Sequence, residues 1–360
     1  MKKKTLLILL MAAALMLSGC SSLVLRDSAV DAQQVILSIN GENINKQTFS
    51  DLYSYNLYTE QQYAQLMAQF GASDGSVDSS KVLQDTAQTF ITRILTNQKA
   101  AELGLDQFTD AENAEIDTEA QTQYEERLQT LKENLFAEAD PTDEELTAAA
   151  NNQGVTLESV RSSLVQSKIS QRVQEYAAKD VVLDDAALQA ALDEKIEAQK
   201  TRFESNANAY NTVVNAGDPL FITPAGYRVI RVIEATGDTA EADMQALADR
   251  VAAGEALDAL GVEVKQYSVR EGTTTPNADL VSAAMALTEK GSVTAVTQTA
   301  TGYAMAEYTD DIPEATATLS EMRDTIYDEA LQNAKTAAYN AAMNDWISAA
   351  DVQMYLDRIN

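Results

Sequence analysis

The chain has 360 residues, of which 45% are apolar, and it contains one cysteine and no histidine. The lack of histidine excludes a Ser-His-Asp triad, a Cys-His dyad and histidine-ligated metal or haem, and the single cysteine excludes a disulfide within one chain. The chain has 26 lysines and arginines and 55 aspartates and glutamates, which gives a formal net charge of −29. Nucleic acid is therefore a poor partner, because phosphate binding requires a cationic surface. The length predicts two or three domains.

The first 34 residues predict an export signal and a tether. Three lysines at positions 2–4 precede an apolar stretch, residues 6–17, that is too short to cross ~30 Å of hydrocarbon comfortably. The stretch ends in Leu17-Ser18-Gly19-Cys20, which resembles the bacterial lipobox and predicts that residues 1–20 are a lipoprotein signal with Cys20 lipidated. The alternatives are a plain signal peptide or an uncleaved anchor helix. Residues 21–34 are polar and small, as in a tether.

The next residues predict a β-hairpin followed by a helix. Residues 35–39 form a run rich in β-branched side chains, and Asn40-Gly41 tolerates the positive φ angles of a tight turn. Ile44 closes the return strand. Asn45 is a predicted N-cap, since its side chain can accept a hydrogen bond from the first turn of the helix that follows.

Helical patterns then continue as far as residue 205. Thr142 and Glu145 have the spacing of a capping box, which marks the start of one of these helices. Apolar residues at helical spacing mark the others. Segment 35–205 is therefore predicted to contain one short hairpin and about five helices.

Residues 227–308 have a different pattern. Strands are predicted at 227–233, 262–269, 293–297 and 303–308, with helices at 239–254 and around Leu280. The resulting order is βαβαββ, a small α+β domain.

A long helix follows Pro313. Thr318 and Glu321 again have capping-box spacing. Alanines along one face of this helix predict close packing against another helix, and Trp346 near its end is predicted to dock on the N-terminal helices.

Several short motifs occur in an order that resembles a known family. They are Asn40-Gly41-Glu42 with Ile44, Ala101-Glu102-Leu103-Gly104-Leu105, Asp143-Glu144-Glu145-Leu146, Ala283-Ala284-Met285-Ala286-Leu287, Lys290-Gly291-Ser292-Val293 and Thr301-Gly302-Tyr303. With these motifs and the lipobox, the chain resembles the PrsA-type foldase lipoproteins and the SurA-type periplasmic chaperones. The resemblance implies an α+β fold, in which a mainly helical SurA-like N-terminal chaperone domain and a C-terminal helix flank an inserted parvulin-like βαβαββ domain.

The resemblance also implies where an isomerase site would lie and how it is altered. Parvulin isomerases carry one histidine in the first strand and one in the last, and the matching positions here hold Arg231 and Ala304. The apolar pocket positions fall on Pro276 and Leu280, and Met285 and Tyr303 complete the implied substrate-binding set. Loss of the histidines predicts that isomerase activity is reduced or absent.

Two other groups of residues permit a functional and a structural interpretation. Glu112, Glu115, Asp117 and Glu119 could bind calcium, but they lack the EF-hand spacing and its glycine turn, so a solvated helix face is preferred. No metal and no cofactor is expected. Four tyrosines at positions 53, 55, 58 and 63 could line a polypeptide-binding groove, although core packing is expected for at least half of them.

The expected organisation is signal 1–20, tether 21–34, helical chaperone domain 35–218, degenerate parvulin-like domain 219–312 and C-terminal helix 313–360. The leading hypothesis is a lipid-anchored extracytoplasmic chaperone or foldase for unfolded or partly folded secreted polypeptides, held on a bacterial membrane through Cys20. The alternatives are an active peptidyl-prolyl isomerase and a solute-binding or structural surface lipoprotein.

Overall fold

The computed structural model describes residues 28–136 and 141–359. The predicted signal and Cys20 lie outside the described residues, as do residues 21–27 of the tether. The chain divides into two compact units, one ending at Asp180 and resuming at Lys335, the other running from Val181 to Ala334. The second unit thus contains all of segment 219–312, the helices directly before it and the first half of the helix after it. None of the helices described is both long and apolar enough to cross a bilayer.

The first unit opens on a short helix and the predicted hairpin. Helix α1 (Ser28–Ala32) precedes strands β1 (Val35–Ile39) and β2 (Glu42–Asn45). Asn40 and Gly41 between them have φ angles of 50° and 86°, so the predicted tight turn is confirmed. The other edge of β1 pairs antiparallel with β9 (Val352–Met354), which gives the sheet order β2-β1-β9.

Five helices follow in the first unit: α2 (Lys46–Gln69), α3 (Ser79–Leu103), α4 (Asp110–Leu135), α5 (Asp143–Asn152) and α6 (Leu157–Ala177). The Asn45 side chain accepts a hydrogen bond from the Thr48 N–H at the start of α2, as predicted. Thr142 and Glu145 form the predicted capping box of α5. Local sequence signals therefore define where these helices begin.

The core of the first unit joins residues that lie far apart in the chain. Phe49 of α2 stacks on Phe90 of α3 with ring centroids 5.6 Å apart. The buried strand residue Ile36 belongs to the same cluster, and so do Met343 and Trp346 of the long helix α11 (Leu319–Ala349). Trp346 therefore docks in the N-terminal core, as predicted. Because α11 runs past Ala334, its second half contributes to this unit.

The second unit contains helices α7 (Asp185–Ser205), α8 (Ala209–Ala216), α9 (Ala240–Ala252) and α10 (Ala278–Met285), strands β3 (Ile222–Thr223), β4 (Arg228–Thr236), β5 (Lys265–Val269), β6 (Thr297–Gln298), β7 (Gly302–Asp311) and β8 (Ala315–Thr316), and the first half of α11. Strands β3 and β8 form a two-stranded sheet, and the other four form an antiparallel sheet of order β5-β4-β7-β6. From β4 to β7 the order is βαβαββ, as predicted, and the chain is of the α+β class. The described part of segment 35–205 holds six helices of at least ten residues rather than about five.

Two predicted strands are shorter than expected. The strand predicted at 262–269 begins at Lys265, because Val262 and Val264 instead pack beside buried Met244. The strand predicted at 293–297 is reduced to β6 and an isolated bridge at Val293. There the Thr294 hydroxyl accepts a hydrogen bond from the Ala306 N–H. The hydroxyl thus replaces the backbone carbonyl that would accept this bond in a regular sheet.

The two faces of the four-stranded sheet carry different side chains, as the two-residue period of a strand requires. Ile230 and Val232 pack with Leu280 of α10 on one face. Ile233 and Met305 pack with Met244 of α9 on the other. Each face is therefore covered by one helix.

Candidate functional site

Leu280 and Ala304 lie in the core between the sheet and α10. Both are fully buried, with 0% of their surface exposed, and they pack with Ile230, Val232 and Ala284. Met285 is half-buried against the same cluster. The structure thus brings three of the predicted site residues together, but as parts of a packed core. A side chain without exposed surface cannot form the wall of a pocket that a proline substrate would enter.

Arg231 lies on the opposite face of the sheet from Ala304. Its guanidinium forms ion pairs with Asp258, at 2.8 Å, and with Glu307, at 3.5 Å. Tyr303 shares that face, and its hydroxyl donates a 3.2 Å hydrogen bond to Glu241. Since the two positions matched to the isomerase histidines face opposite ways, they do not contribute to one catalytic cluster.

The residue directly opposite Ala304 in the sheet is Glu234. Its carboxylate pairs with the Lys265 ammonium at 3.2 Å. Burial raises the pKa of nearby Tyr267, and the negative charge of Glu234 raises it further. Sequence matching missed Glu234 because it lies three residues after Arg231, and an odd number of residues along a strand changes the face on which a side chain lies. The side chains of Glu234, Lys265 and Tyr267 thus supply a carboxylate, an ammonium group and a phenol, but no imidazole that could accept and return a proton.

Pro276 lies in the loop that leads into α10. The Asn208 side-chain carbonyl accepts hydrogen bonds from the N–H groups of Thr274 and Thr275, at 3.0 and 3.1 Å. Asn277 then caps α10 by accepting from the Leu280 N–H at 3.0 Å. The loop is thus tied to the start of α8, and Pro276 itself is half-buried.

An arginine closes the other end of α10. The Arg228 guanidinium donates hydrogen bonds to the carbonyls of Met285 and Leu287, at 2.9 and 2.8 Å, and lies 4.4 Å above the ring of Tyr308. A cation at a helix C-terminus satisfies carbonyls that have no partner within the helix. Both ends of α10 are therefore fixed to the body of the unit.

The described part of the first unit carries a second candidate, an exposed aromatic surface on α2. Tyr55, Tyr58 and Tyr63 are 67%, 61% and 60% exposed, Leu66 is 49% exposed and Phe70 at the helix end is 77% exposed. We call these five residues the aromatic face. Single exposed apolar residues are ordinary on a protein surface, whereas several on one helix make that helix a candidate binding surface.

The aromatic face arises because α2 packs on the core mainly through its first half. Phe49 is buried, and Tyr53 packs against the core. Core packing was expected for at least half of the four tyrosines, but only Tyr53 packs against the core, so this expectation is wrong. At 100° per residue, Tyr63 and Tyr53 both lie about 40° from Phe49 around the helix, so the exposure of Tyr63 results from its position in the second half of α2. Helical spacing alone could therefore not have separated these two tyrosines.

A cavity of about 360 Å³ lies between α2 and α3, beside the aromatic face. Its apolar walls include Tyr63, Met67 and Val82. The acidic residues Glu60 and Asp85 also line it. The arrangement can accept apolar side chains of a flexible ligand next to a negatively charged edge.

Three of the four acidic residues singled out on α4 form ion pairs with α6. Asp117 pairs with Arg161 at 2.6 Å, Glu119 with Lys168 at 3.4 Å, and Glu112 binds Arg172. No group of three or more potential metal ligands occurs in residues 28–136 and 141–359. In this part of the chain the acidic residues connect α4 to α6.

Comparison with known proteins gives matches by structure only. No protein-family model matches the sequence, and no curated protein matches it. The chain is similar to a SurA-like chaperone of Campylobacter jejuni, with 12% identity over 89% of this chain and 98% of that chain and a TM-score of 0.34.

The chain is also similar to two PrsA foldases. The protein from Streptococcus pneumoniae is 13% identical over 88% of this chain and 93% of its own, with a TM-score of 0.22. PrsA of Bacillus subtilis is 15% identical over 89% and 94%, with a TM-score of 0.20. Similarity to PrsA and SurA-like chaperones thus extends over most of the chain.

Proposed function

We propose that this protein is an extracytoplasmic chaperone that holds unfolded polypeptides on the aromatic face of α2. The observation that carries the proposal is the exposure of Tyr55, Tyr58, Tyr63 and Phe70, each at least 60% exposed on one helix. Aromatic side chains provide a large contact area at a low cost in conformational entropy. The family resemblance of the sequence motifs agrees with this role.

The size of the aromatic face favours weak and reversible binding. A buried aromatic side chain accounts for ~150–250 Å², so covering the exposed parts of three tyrosines removes on the order of 300 Å² from water. At ~25 cal/mol per Å² this is about 7 kcal/mol before any cost. Association itself costs roughly 4–15 kcal/mol. One contact is therefore weak, and holding a client requires contacts at several sites, from which the client can be released to fold.

We infer that the chaperone works outside the cytoplasm, attached through lipid on Cys20. The support is the lipobox-like Leu17-Ser18-Gly19-Cys20 at the end of the apolar stretch. The tether would hold the folded units away from the membrane surface. The net charge of −29 fits this arrangement, since it repels anionic lipid headgroups.

We further propose that prolyl isomerase activity has been lost. Catalysis of this rotation requires a pocket that stabilises the twisted amide against a barrier of ~18–20 kcal/mol. Here Leu280 and Ala304 are sealed in the core, and Arg231 is ion-paired on the other face. The βαβαββ domain then serves as a scaffold.

Suppression of aggregation by an unfolded client tests the main proposal. The protein at a stoichiometric ratio should suppress light scattering from a reduced, unfolded client, and replacing Tyr55, Tyr58 and Tyr63 by serine should remove most of that effect. Tyr176→Ser is the matched control, because Tyr176 is an exposed tyrosine on α6. Circular dichroism checks that the variants are folded. If the triple variant protects the client as well as the original protein does, the aromatic face is not the binding surface.

A further inference from the structure

The cavity between α2 and α3 has both apolar and acidic walls. Ala64, Met67 and Val77 contribute apolar surface at the end of the aromatic face. Glu60, Asp78 and Asp85 lie around the same space. A volume of about 360 Å³ is at the lower end of the range for ligand pockets, which suits one or two side chains of a peptide.

The charges around this cavity do not balance. Lys81 is the cation that lines it, and it pairs with Asp85 at 2.5 Å, both side chains being mostly exposed. Asp78 accepts the N–H groups of Ser80 and Lys81 as the N-cap of α3. Glu60 adds a third carboxylate, so the lining carries a net charge of about −2. The pKa of Lys81 is raised, first by its hydrogen bond to Asp85 and further by Glu60 and Asp78.

We propose that this cavity selects client segments in which an aromatic or aliphatic side chain stands next to a lysine or arginine. The inference rests on the proposed function and names the class of client that the surface prefers. The apolar side chain enters between α2 and α3, and the cation lies against Glu60 and Asp85. Charge complementarity favours this occupant over an anionic membrane or a second copy of the chain, since both are negative.

Peptide binding measured by isothermal titration calorimetry tests the preference. Three peptides of equal length share one aromatic and aliphatic core and differ only in flanking residues, which are lysine, glutamine or glutamate. The lysine peptide should bind most tightly and the glutamate peptide least, with the two Kd values about tenfold apart at low salt, since each exposed ion pair contributes roughly a two- to fivefold change. The difference should shrink above ~0.5 M salt.

Paired variants separate this inference from the proposed function. Glu60→Gln with Asp85→Asn should reduce the advantage of the lysine peptide at least threefold and leave the glutamine peptide unchanged. Glu126→Gln is the control, because Glu126 is an exposed carboxylate on α4 that does not line the cavity. Replacing the three exposed tyrosines by serine should weaken all three peptides equally.

The possible results have distinct meanings. If the tyrosine variant weakens binding but the lysine advantage survives Glu60→Gln with Asp85→Asn, the charge selection is refuted and the chaperone proposal stands. If no peptide binds, both are refuted. If sedimentation shows a dimer that the tyrosine variant dissociates, a second copy occupies the aromatic face and the client selection is refuted.

Discussion

Replacing Met343 by alanine tests whether the second half of α11 completes the core of the first unit. Met343 is 6% exposed and belongs to the cluster that contains Phe49, Phe90 and Ile36. Truncation to alanine removes most of the side chain and leaves a cavity, because the surrounding structure relaxes only in part. Met354 on β9 is 55% exposed and gives a matched control in the same region of the chain.

The expected magnitudes of the two substitutions differ clearly. Methionine to alanine in a core costs ~2–5 kcal/mol of the free energy of unfolding, and the low exposure of Met343 supports about 3 kcal/mol. A surface substitution such as Met354→Ala costs within about 0.5 kcal/mol. With a urea dependence of ~1–3 kcal/mol per molar, the midpoint should fall by about 1.5 M for Met343→Ala and by less than about 0.5 M for the control.

Tryptophan fluorescence during urea unfolding measures this directly, because Trp346 is the only tryptophan in the sequence. It packs in the same cluster, with the Tyr339 ring edge-on at 6.5 Å and the Lys99 ammonium 5.6 Å above its ring. The signal therefore reports on the first unit and not on the second. If Met343→Ala and Met354→Ala shift the midpoint equally, α11 does not complete this core.

Three further predictions concern processing, acid stability and catalysis. Cys20→Ala should abolish lipidation and leave precursor or released protein, so unchanged labelling by a fatty-acid analogue and unchanged membrane retention would contradict the anchor. Hydrogen bonds from the Thr109 N–H and hydroxyl, and then from Arg172, lower the pKa of Glu112. The stability this provides is present above the ordinary glutamate pKa and is lost as the pH falls through the lowered pKa of the folded protein. Glu112→Gln should therefore make the melting temperature depend less on pH in acid, and an unchanged dependence would refute this prediction. Exchange NMR on a proline peptide should show no acceleration at catalytic concentration, and acceleration that Leu280→Ala abolishes would restore the enzyme hypothesis.

Local chemistry explains which parts of the fold could be predicted from the sequence. The β1–β2 hairpin was predicted because Asn40 and Gly41 adopt positive φ angles at little cost. The starts of α2 and α5 were predicted because Asn45 and Thr142 hydrogen-bond to N–H groups within the next three residues. Each of these signals acts over a few residues and is complete within the segment that carries it.

Features that depend on distant partners were not predicted. Strand β9 has three residues, and it forms because its pairing with β1 brings Met354 opposite Leu37. Nothing in the sequence near Met354 specifies that pairing. Likewise, the pairing of β4 with β7 places Arg231 on the face of the sheet opposite to that of Ala304, and the sequence around Arg231 does not specify this register. The expected domain boundaries at 219 and 312 remain a prediction.

The pairing of β9 with β1 has a consequence for how the protein is made. About 150 residues separate Asp180 from Lys335, where the first unit resumes. At ~5–20 residues per second, the ribosome adds them in roughly 8–30 s. During that interval the nascent chain has β1 without its neighbour β9 and lacks the core residues Met343 and Trp346. Folding of the first unit is therefore completed after synthesis of the second, and a chain that stops at Ala334 leaves β1 with an open edge at which another chain can pair.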